Sequence, residues 1–411
     1  MGVFFSYVLA RGVGAATPQE LPRGVGGAGG ATAATRLGLG LRLVPFAEAA
    51  LAPDLRAFIT PLVPVLRLIN RLPWWAGRMI LSAIAGADPP LPGAPPPAET
   101  ELSLLSDDGE TKLAARIYEP LKLAGGKRSP LLFFVHGGGF VMGDVKQCAP
   151  LCRAFANELG WRVLAVTYRR APEHRYPAAA LDVLAAYTHV LAHCTEFRLD
   201  EASRIVVCGD SAGGQLTLEL ALRACDTPGM LPPVLLALIY PAINLFRSAT
   251  YASFTAYGSG YGRDAAAIGH FYKAYCTLFL ATPRKSCVAQ RFGGSACFSP
   301  LTSTSLFSHS RRYLGERFAA RLAFDAYLNP DLRADFAGVP PMVLLSCEFD
   351  ILGDEARNFV KVCNERGGNV EHILGEGHMH ASFAFLAAVP SAQAIFRTFC
   401  AHVKARVGAN F

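Results

Sequence analysis

The chain has 411 residues, 52% apolar and 17% charged, enough apolar surface for a large core and too much for a globally disordered polypeptide. Its net charge is +7, but 31 of the 39 basic residues are arginine, spread through an Ala- and Gly-rich sequence. No Lys/Arg run is interleaved with aromatics, so no nucleic-acid partner is expected. The 11 cysteines are odd in number and well spread, which fits free thiols in a reducing compartment, the cytoplasm, better than a secreted disulfide framework.

Residues 1–44 read as a Gly/Ala-rich leader that buries too little apolar surface to order itself. Its Met1-Gly2-Val3-Phe4-Phe5-Ser6 start matches the short myristoylation pattern, although chance explains so loose a match more simply. Arg11, Arg23, Arg36 and Arg42 stand against one acid, Glu20, a composition that transit peptides share. Peripheral membrane contact or organelle targeting through this end therefore stays open.

Residues 45–98 read as a helical extension or cap that ends in a proline-rich linker, 89–97. Leu62, Leu66, Ile69, Trp74, Trp75, Met79 and Ile80 recur among Arg56, Arg67, Arg71 and Arg78. Pro61, Pro64 and Pro73 must start or interrupt helices there. Packing on the main domain and capping a site are both open to such a segment.

Residues 99–411 read as one α/β domain. Glu101–Leu105 and Lys112–Tyr118 flank an Asp-Gly turn and predict an antiparallel hairpin. Short apolar runs then alternate with helical patterns. Strands are expected at Leu131–Val135, Arg162–Thr167, Arg204–Cys208, Val234–Tyr240, Met342–Ser346 and Val370–Leu374. Helices are expected near 146–158, 178–194, 212–225, 264–280, 354–366 and 390–404. This alternation predicts a mostly parallel sheet with helices on both faces. Segment 281–312, rich in Ser and Thr, breaks the pattern as a surface insertion. Two uncharged runs, Thr227–Phe246 and Gly377–Phe396, are long enough to span a membrane. The prolines of the first, and the histidines, Ser382 and Pro390 of the second, suit a buried strand and a loop–helix instead.

Gly209-Asp210-Ser211-Ala212-Gly213-Gly214 lies between a predicted strand and a predicted helix, the setting of a sharp turn that exposes a nucleophilic serine. Gly209 and Gly213 would spare the turn side-chain clashes, and the helix N-terminus would favour developing negative charge. His136-Gly137-Gly138-Gly139-Phe140 directly follows another strand, where glycines let backbone amides face an oxyanion. His136 belongs to that loop and reads as a structural hydrogen-bonding residue. No His/Cys/Asp/Glu spacing suggests a metal, and Cys148 and Cys152 read as small apolar residues on a helix. His174 reads as a structural partner of nearby backbone.

Four stretches together resemble the hormone-sensitive-lipase-like, or arylacetamide-deacetylase-like, family of α/β-hydrolases. They are His136–Phe140, Tyr168–Ala179 (with Ala171-Pro172-Glu173-His174), Gly209–Gly214 and Glu348–Glu355, and the resemblance spans roughly residues 100–400. It implies an α/β-hydrolase fold, with Ser211 as nucleophile, Asp350 as the acid, and the amides of Gly138, Gly139 and Ala212 as oxyanion hole. Asp354 is the rival acid, and Asp210 is structural in the family. The family's Gly-x-x-His-Gly-Phe stretch reads here Gly377-His378-Met379-His380-Ala381-Ser382-Phe383. Spacing from Gly377 favours His380 as base, while the altered tail leaves His378 as the alternative. His372, inside the strand, reads as packing or surface.

The function so implied is a serine carboxylesterase acting on small-molecule esters through an acyl-enzyme, with no cofactor. The alternatives are a non-catalytic ligand-binding member of the same fold, or an amidase or deacetylase. Tyr251, Phe254, Tyr257 and Tyr261, with Trp74 and Trp75, could line an apolar acyl site or simply pack. Nothing in the sequence sets acyl length or oligomeric state.

Overall fold

Strand placement in the computed structural model follows the alternation of apolar runs and helical patterns. It describes residues 51–63, 72, 74–85, 96–123, 129–199, 205–258, 265–276 and 325–408. The predicted leader 1–44, linker residues 89–95, Tyr261 and segment 281–312 lie outside the described residues.

In chain order the elements that matter here are α1 (Pro53–Ile59), α2 (Trp74–Ala85), β1 (Ala98–Leu105), β2 (Lys112–Glu119), β3 (Leu131–Val135), α3 (Ala149–Leu159) and β4 (Arg162–Val166). There follow α4 (Ala178–Ala192), β5 (Ile205–Asp210), α5 (Ala212–Asp226), β6 (Leu235–Ile239), α6 (Ala252–Ala256) and α7 (Ala265–Cys276). The chain closes with β7 (Met342–Phe349), α8 (Gly353–Glu365), β8 (Val370–Met379) and α9 (Pro390–Gly408).

Among the described residues eight strands form one sheet in the order β1-β2-β4-β3-β5-β6-β7-β8. The β1–β2 and β2–β4 pairs are antiparallel and the other five are parallel. Every residue of β3, β4 and β6 is buried. Helices cover both faces there, so these strands read as unbroken apolar runs rather than alternating ones.

The topology also places the site. From β3 the chain steps to β4 on one side and then returns to β5 on the other. A crevice opens outside the carboxyl ends of the strands where the winding direction reverses. Val135 pairs with Gly209 across β3 and β5, so the loop beginning at His136 emerges beside Asp210 and Ser211.

Two expectations about elements are corrected. β8 runs to Met379 instead of stopping at Leu374, because its pairing with β7 resumes at Phe349–Met379 after a shift in register. His378 is therefore a strand residue rather than a loop residue. His372 is neither plain packing nor surface, since its Nε2 shares a 2.8 Å hydrogen bond with Ser346 Oγ on β7. Among the described residues the nine cysteines are free thiols, with Cys148 and Cys152 Sγ atoms 3.8 Å apart. No helix among the described residues is long and apolar enough to cross a membrane.

Candidate active site

Ser211 sits at the apex between β5 and α5 with φ 53° and ψ −118°. A non-glycine residue there is strained, and the surroundings must hold it in place. Its amide donates to the Ile239 carbonyl (2.9 Å), and its carbonyl accepts from the amides of Ala242 and Gln215. Close approach explains the flanking glycines. A Cβ at Gly209 would run into the Gly213 carbonyl, and one at Gly213 into the carbonyls of Val135 and His136. Gly213→Ala should therefore cost about 2–4 kcal/mol, as overpacking against rigid backbone does. Urea unfolding of the variant measures it, and an unchanged midpoint would contradict the packing account.

The glycine loop is tied to the serine turn by one carboxylate. Asp210 Oδ1 accepts from the Gly137 amide at 2.7 Å, so the neighbour of Ser211 anchors the loop opposite. His136 is buried, stacks on Tyr168 at 4.4 Å and contacts its neighbour's carbonyl through Nδ1 at 2.8 Å. A carbonyl only accepts, so Nδ1 carries the proton. Burial lowers the His136 pKa to about 4, which keeps the ring neutral at ordinary pH. Tyr168 Oη donates to the His136 carbonyl. The Gly138 carbonyl accepts from Val141 and Met142. By contrast, the amides of Gly138, Gly139 and Ala212 have no hydrogen-bond acceptor among the described residues. Ala212 opens α5, whose N-terminal end carries partial positive charge.

Asp350 follows β7 and is 1% exposed. Its Oδ1 accepts from the Leu352 amide at 2.8 Å. His380 is 4% exposed, and its Nδ1 lies 2.9 and 3.0 Å from the two Asp350 carboxylate oxygens. Its Nε2 is 2.8 Å from Ser211 Oγ. With Nδ1 donating to the carboxylate, Nε2 is left as the acceptor of the serine proton. The Tyr240 ring packs against the imidazole at 5.0 Å. Ser211, His380 and Asp350 thus form one hydrogen-bonded line drawn from three different strand ends.

The rival acid is engaged elsewhere, and the rival histidine makes no side-chain hydrogen bond among the described residues. Asp354, in the first turn of α8, accepts from the Ser253 amide (2.7 Å) and from Arg357 (2.6 Å). His378 is 2% exposed, and neither ring nitrogen has a hydrogen-bond partner among the described residues. Its backbone neighbour Gly377 is held from both sides: its amide donates to Glu348, and its carbonyl accepts from Ala52 ahead of α1. Desolvation lowers the His378 pKa, with Asp54 opposing the shift. The unfolded chain therefore takes up a proton near pH 6.5 that the folded chain refuses. Stability is lost as pH falls below that value, at no more than about 1.4 kcal/mol per pH unit. His378→Leu should flatten the loss of stability between about pH 6.5 and 5 relative to wild type. Urea titrations across that range check this; parallel curves would contradict it.

His174 is exposed, and only its backbone amide makes the expected local bond, to the Arg170 carbonyl. Of the aromatics proposed for an acyl site, Trp74 packs on Phe271 (5.8 Å), whereas Trp75 is 65% exposed. Tyr257 packs on Phe349, and Tyr251 accepts from Asn358. One buried acid escaped the sequence reading. Glu355 accepts from the amides of Ile243 and Asn244 and from Ser248, bracing the loop after β6. Burial raises its pKa to about 8. Its place in the stretch Glu348–Glu355 was the available signal. No group of three His, Cys, Asp or Glu residues able to hold a metal occurs among the described residues.

A family model described as alpha/beta hydrolase fold matches residues 132–305 and 280–384. The chain is 35% identical over 183 residues to an ethyl acetate hydrolase of Pseudomonas putida, which covers 44% of this chain and 56% of that protein. It is 30% identical over 275 residues to the carboxylic ester hydrolase LipN of Mycobacterium tuberculosis, covering 66% of this chain and 61% of that one. These matches thus span less than two thirds of either relative. Arylacetamide deacetylase of Bos taurus is 26% identical over 320 residues, covering 71% of this chain and 77% of the relative. Among solved structures, an alpha/beta hydrolase enzyme from the metagenome of Lake Arreo, Spain, superposes with TM-score 0.69 at 26% identity, covering 87% of this chain and 99% of that one. A hyperthermophilic esterase from the archaeon Pyrobaculum calidifontis gives TM-score 0.68 at 25% identity, covering 87% and 98%. With the family model matching more than half of its length, the chain belongs to the hormone-sensitive-lipase-like family of α/β-hydrolases.

Proposed function

We propose that the chain is a serine carboxylesterase that hydrolyses small carboxylic esters through an acyl-enzyme. The observation that carries this reading is the line Ser211–His380–Asp350, 2.8 and 2.9 Å at its two joints. A serine hydroxyl is a poor nucleophile at neutral pH, so it needs a base already in hydrogen-bond reach. His380 Nε2 takes the Oγ proton as Oγ attacks the ester carbonyl. Asp350 fixes the imidazole tautomer and stabilises the imidazolium that forms. The amides of Gly138, Gly139 and Ala212 receive the negative charge on the carbonyl oxygen. Imidazolium then protonates the departing alkoxide, which leaves as alcohol. In the second half His380 deprotonates a water as it attacks the acyl-Ser211 ester, and the imidazolium returns that proton to Ser211 Oγ as the acyl–oxygen bond breaks and the acid leaves. These steps draw on side chains, backbone amides, substrate and water.

The names of the relatives support ester substrates, and the bovine arylacetamide deacetylase favours testing aryl amides as well. A ligand-binding protein of this fold would need no base beside its serine, and here His380 stands in reach. The deciding experiment is a p-nitrophenyl ester series of increasing acyl length, with an anilide arm, on wild type and Ser211→Ala. Turnover that disappears with the hydroxyl supports the reading. Binding of esters without turnover anywhere in the series would move the protein to the ligand-binding class.

A further inference from the structure

Helix α2 reaches the glycine loop through one side chain. Arg78 Nε donates to the Val141 carbonyl at 2.7 Å, and Nη2 donates to the Ala171 carbonyl at 2.6 Å. Nη1 and Nη2 also hold the two oxygens of Glu173, each at 2.9 Å. A planar guanidinium can grip two carbonyls and a carboxylate at once, which a single ammonium cannot. The grip falls at a telling place. The amides of Val141 and Met142 turn back onto the Gly138 carbonyl, so Val141 belongs to the turn that holds Gly138. The Ala171 amide donates to the Phe140 carbonyl, so the second carbonyl held by Arg78 belongs to the segment bracing the same turn. Four residues earlier on α2, Trp74 packs on Phe271, and the Phe271 ring lies where a side chain on Gly139 would go. Residues four apart share a helix face, so one face of α2 bonds the turn directly through Arg78 and backs Phe271, its neighbour at Gly139, through Trp74. The Arg78 side chain is 18% exposed, so its bonds to the two carbonyls are partly shielded from water, whereas the pair with the exposed Glu173 is not.

We propose that Arg78 is a positioning residue: it clamps the loop that carries Gly138 and Gly139, so that α2 keeps their amides aimed at the oxyanion. The effect on rate rests on the esterase reading; the clamp itself does not. Oxyanion donors act on charge that develops only in the transition state, so slack in the loop lowers kcat and leaves KM nearly unchanged. Loss of general packing or of substrate contacts would move KM or the unfolding midpoint instead.

The test uses the full chain as wild type, Arg78→Ala, Arg78→Lys and Glu173→Gln, with two readouts. The first is backbone hydrogen exchange over residues 137–145. The second is kcat and KM on the best p-nitrophenyl ester of the series. Arg78→Ala is expected to speed exchange at Val141 and Met142 by about tenfold or more, as a local opening no longer opposed. It is expected to lower kcat roughly 10- to 100-fold with KM within about twofold. Arg78→Lys should fall between, since it keeps the charge and part of the bonding, and Glu173→Gln should stay near wild type because its amide oxygen still accepts. Unchanged exchange in Arg78→Ala overturns the clamp, and faster exchange with unchanged kcat overturns its role in the reaction. If Arg78→Ala does not fold, wild-type exchange and kcat in Arg78→Lys overturn the proposal. Wild-type turnover that survives Ser211→Ala would sink the esterase reading separately, while the exchange readout still decides the clamp.

Discussion

Ser211→Ala is expected to lower ester turnover by roughly 10³-fold or more while the protein stays folded, because members of such a hydrogen-bonded line act as a unit. The hydroxyl lies 2.8 Å from His380 Nε2, with Asp350 on the far side of the ring. Removing it leaves no atom to form the acyl-enzyme. Folding should not suffer, since alanine carries the same strain at φ 53° that serine does and the backbone bonds to Ile239, Ala242 and Gln215 remain. The one loss is a partner for a nearly buried imidazole nitrogen, about 1–2 kcal/mol. Single-turnover measurements should show no burst of p-nitrophenol from the variant, and circular dichroism should superpose on wild type. Turnover persisting in a preparation free of contaminating esterase would remove Ser211 from the mechanism.

Much of this was legible in the sequence because the informative features are local. β3 through β6 are buried on both faces, so they announce themselves as runs such as Leu131–Val135 and Leu235–Ile239. The turn at Ser211 is legible for the same reason: Gly209 and Gly213 are needed within a few residues of it. What stayed hidden depends on distant contacts. The end of β8 was misplaced because Gly375-Glu376-Gly377 does not read as strand, and only renewed pairing with β7 carries it to Met379. Arg78 was one of four dispersed arginines in an apolar stretch, and its carbonyl partners lie 63 and 93 residues away. Glu355 was legible only as the last residue of the stretch Glu348–Glu355, because the amides it braces belong to the loop after β6, more than a hundred residues earlier. The choice between His378 and His380 was open for a related reason. Spacing from Gly377 proposes one of them, but reach to Ser211 and Asp350 is a property of three strand ends together.

His380→Ala should abolish turnover to the level of Ser211→Ala, and His378→Ala should leave most of it. Successive positions along an extended strand face opposite ways, but 378 and 380 would share a face if the strand continued. It does not: β8 ends at Met379, and Ala381 takes a left-handed conformation at φ 64°. His380 therefore lies past the strand end, where its ring meets Ser211 Oγ, whereas His378 stays within β8, its ring without a hydrogen-bond partner among the described residues and under the influence of the Asp54 charge. A base must reach the proton it removes, so His380→Ala should cost roughly 10³-fold or more in kcat. Truncating His378 opens a buried cavity beside Gly377, with a stability cost of about 1–3 kcal/mol and a loss of rate of no more than about tenfold through a loosened strand end. The double variant should be no slower than His380→Ala alone, because the second change then perturbs a site that has already lost its base. The reverse ranking of the single variants would move the base to His378. Equal, small losses in both would mean that neither ring takes the serine proton, and would favour the ligand-binding class over the enzyme.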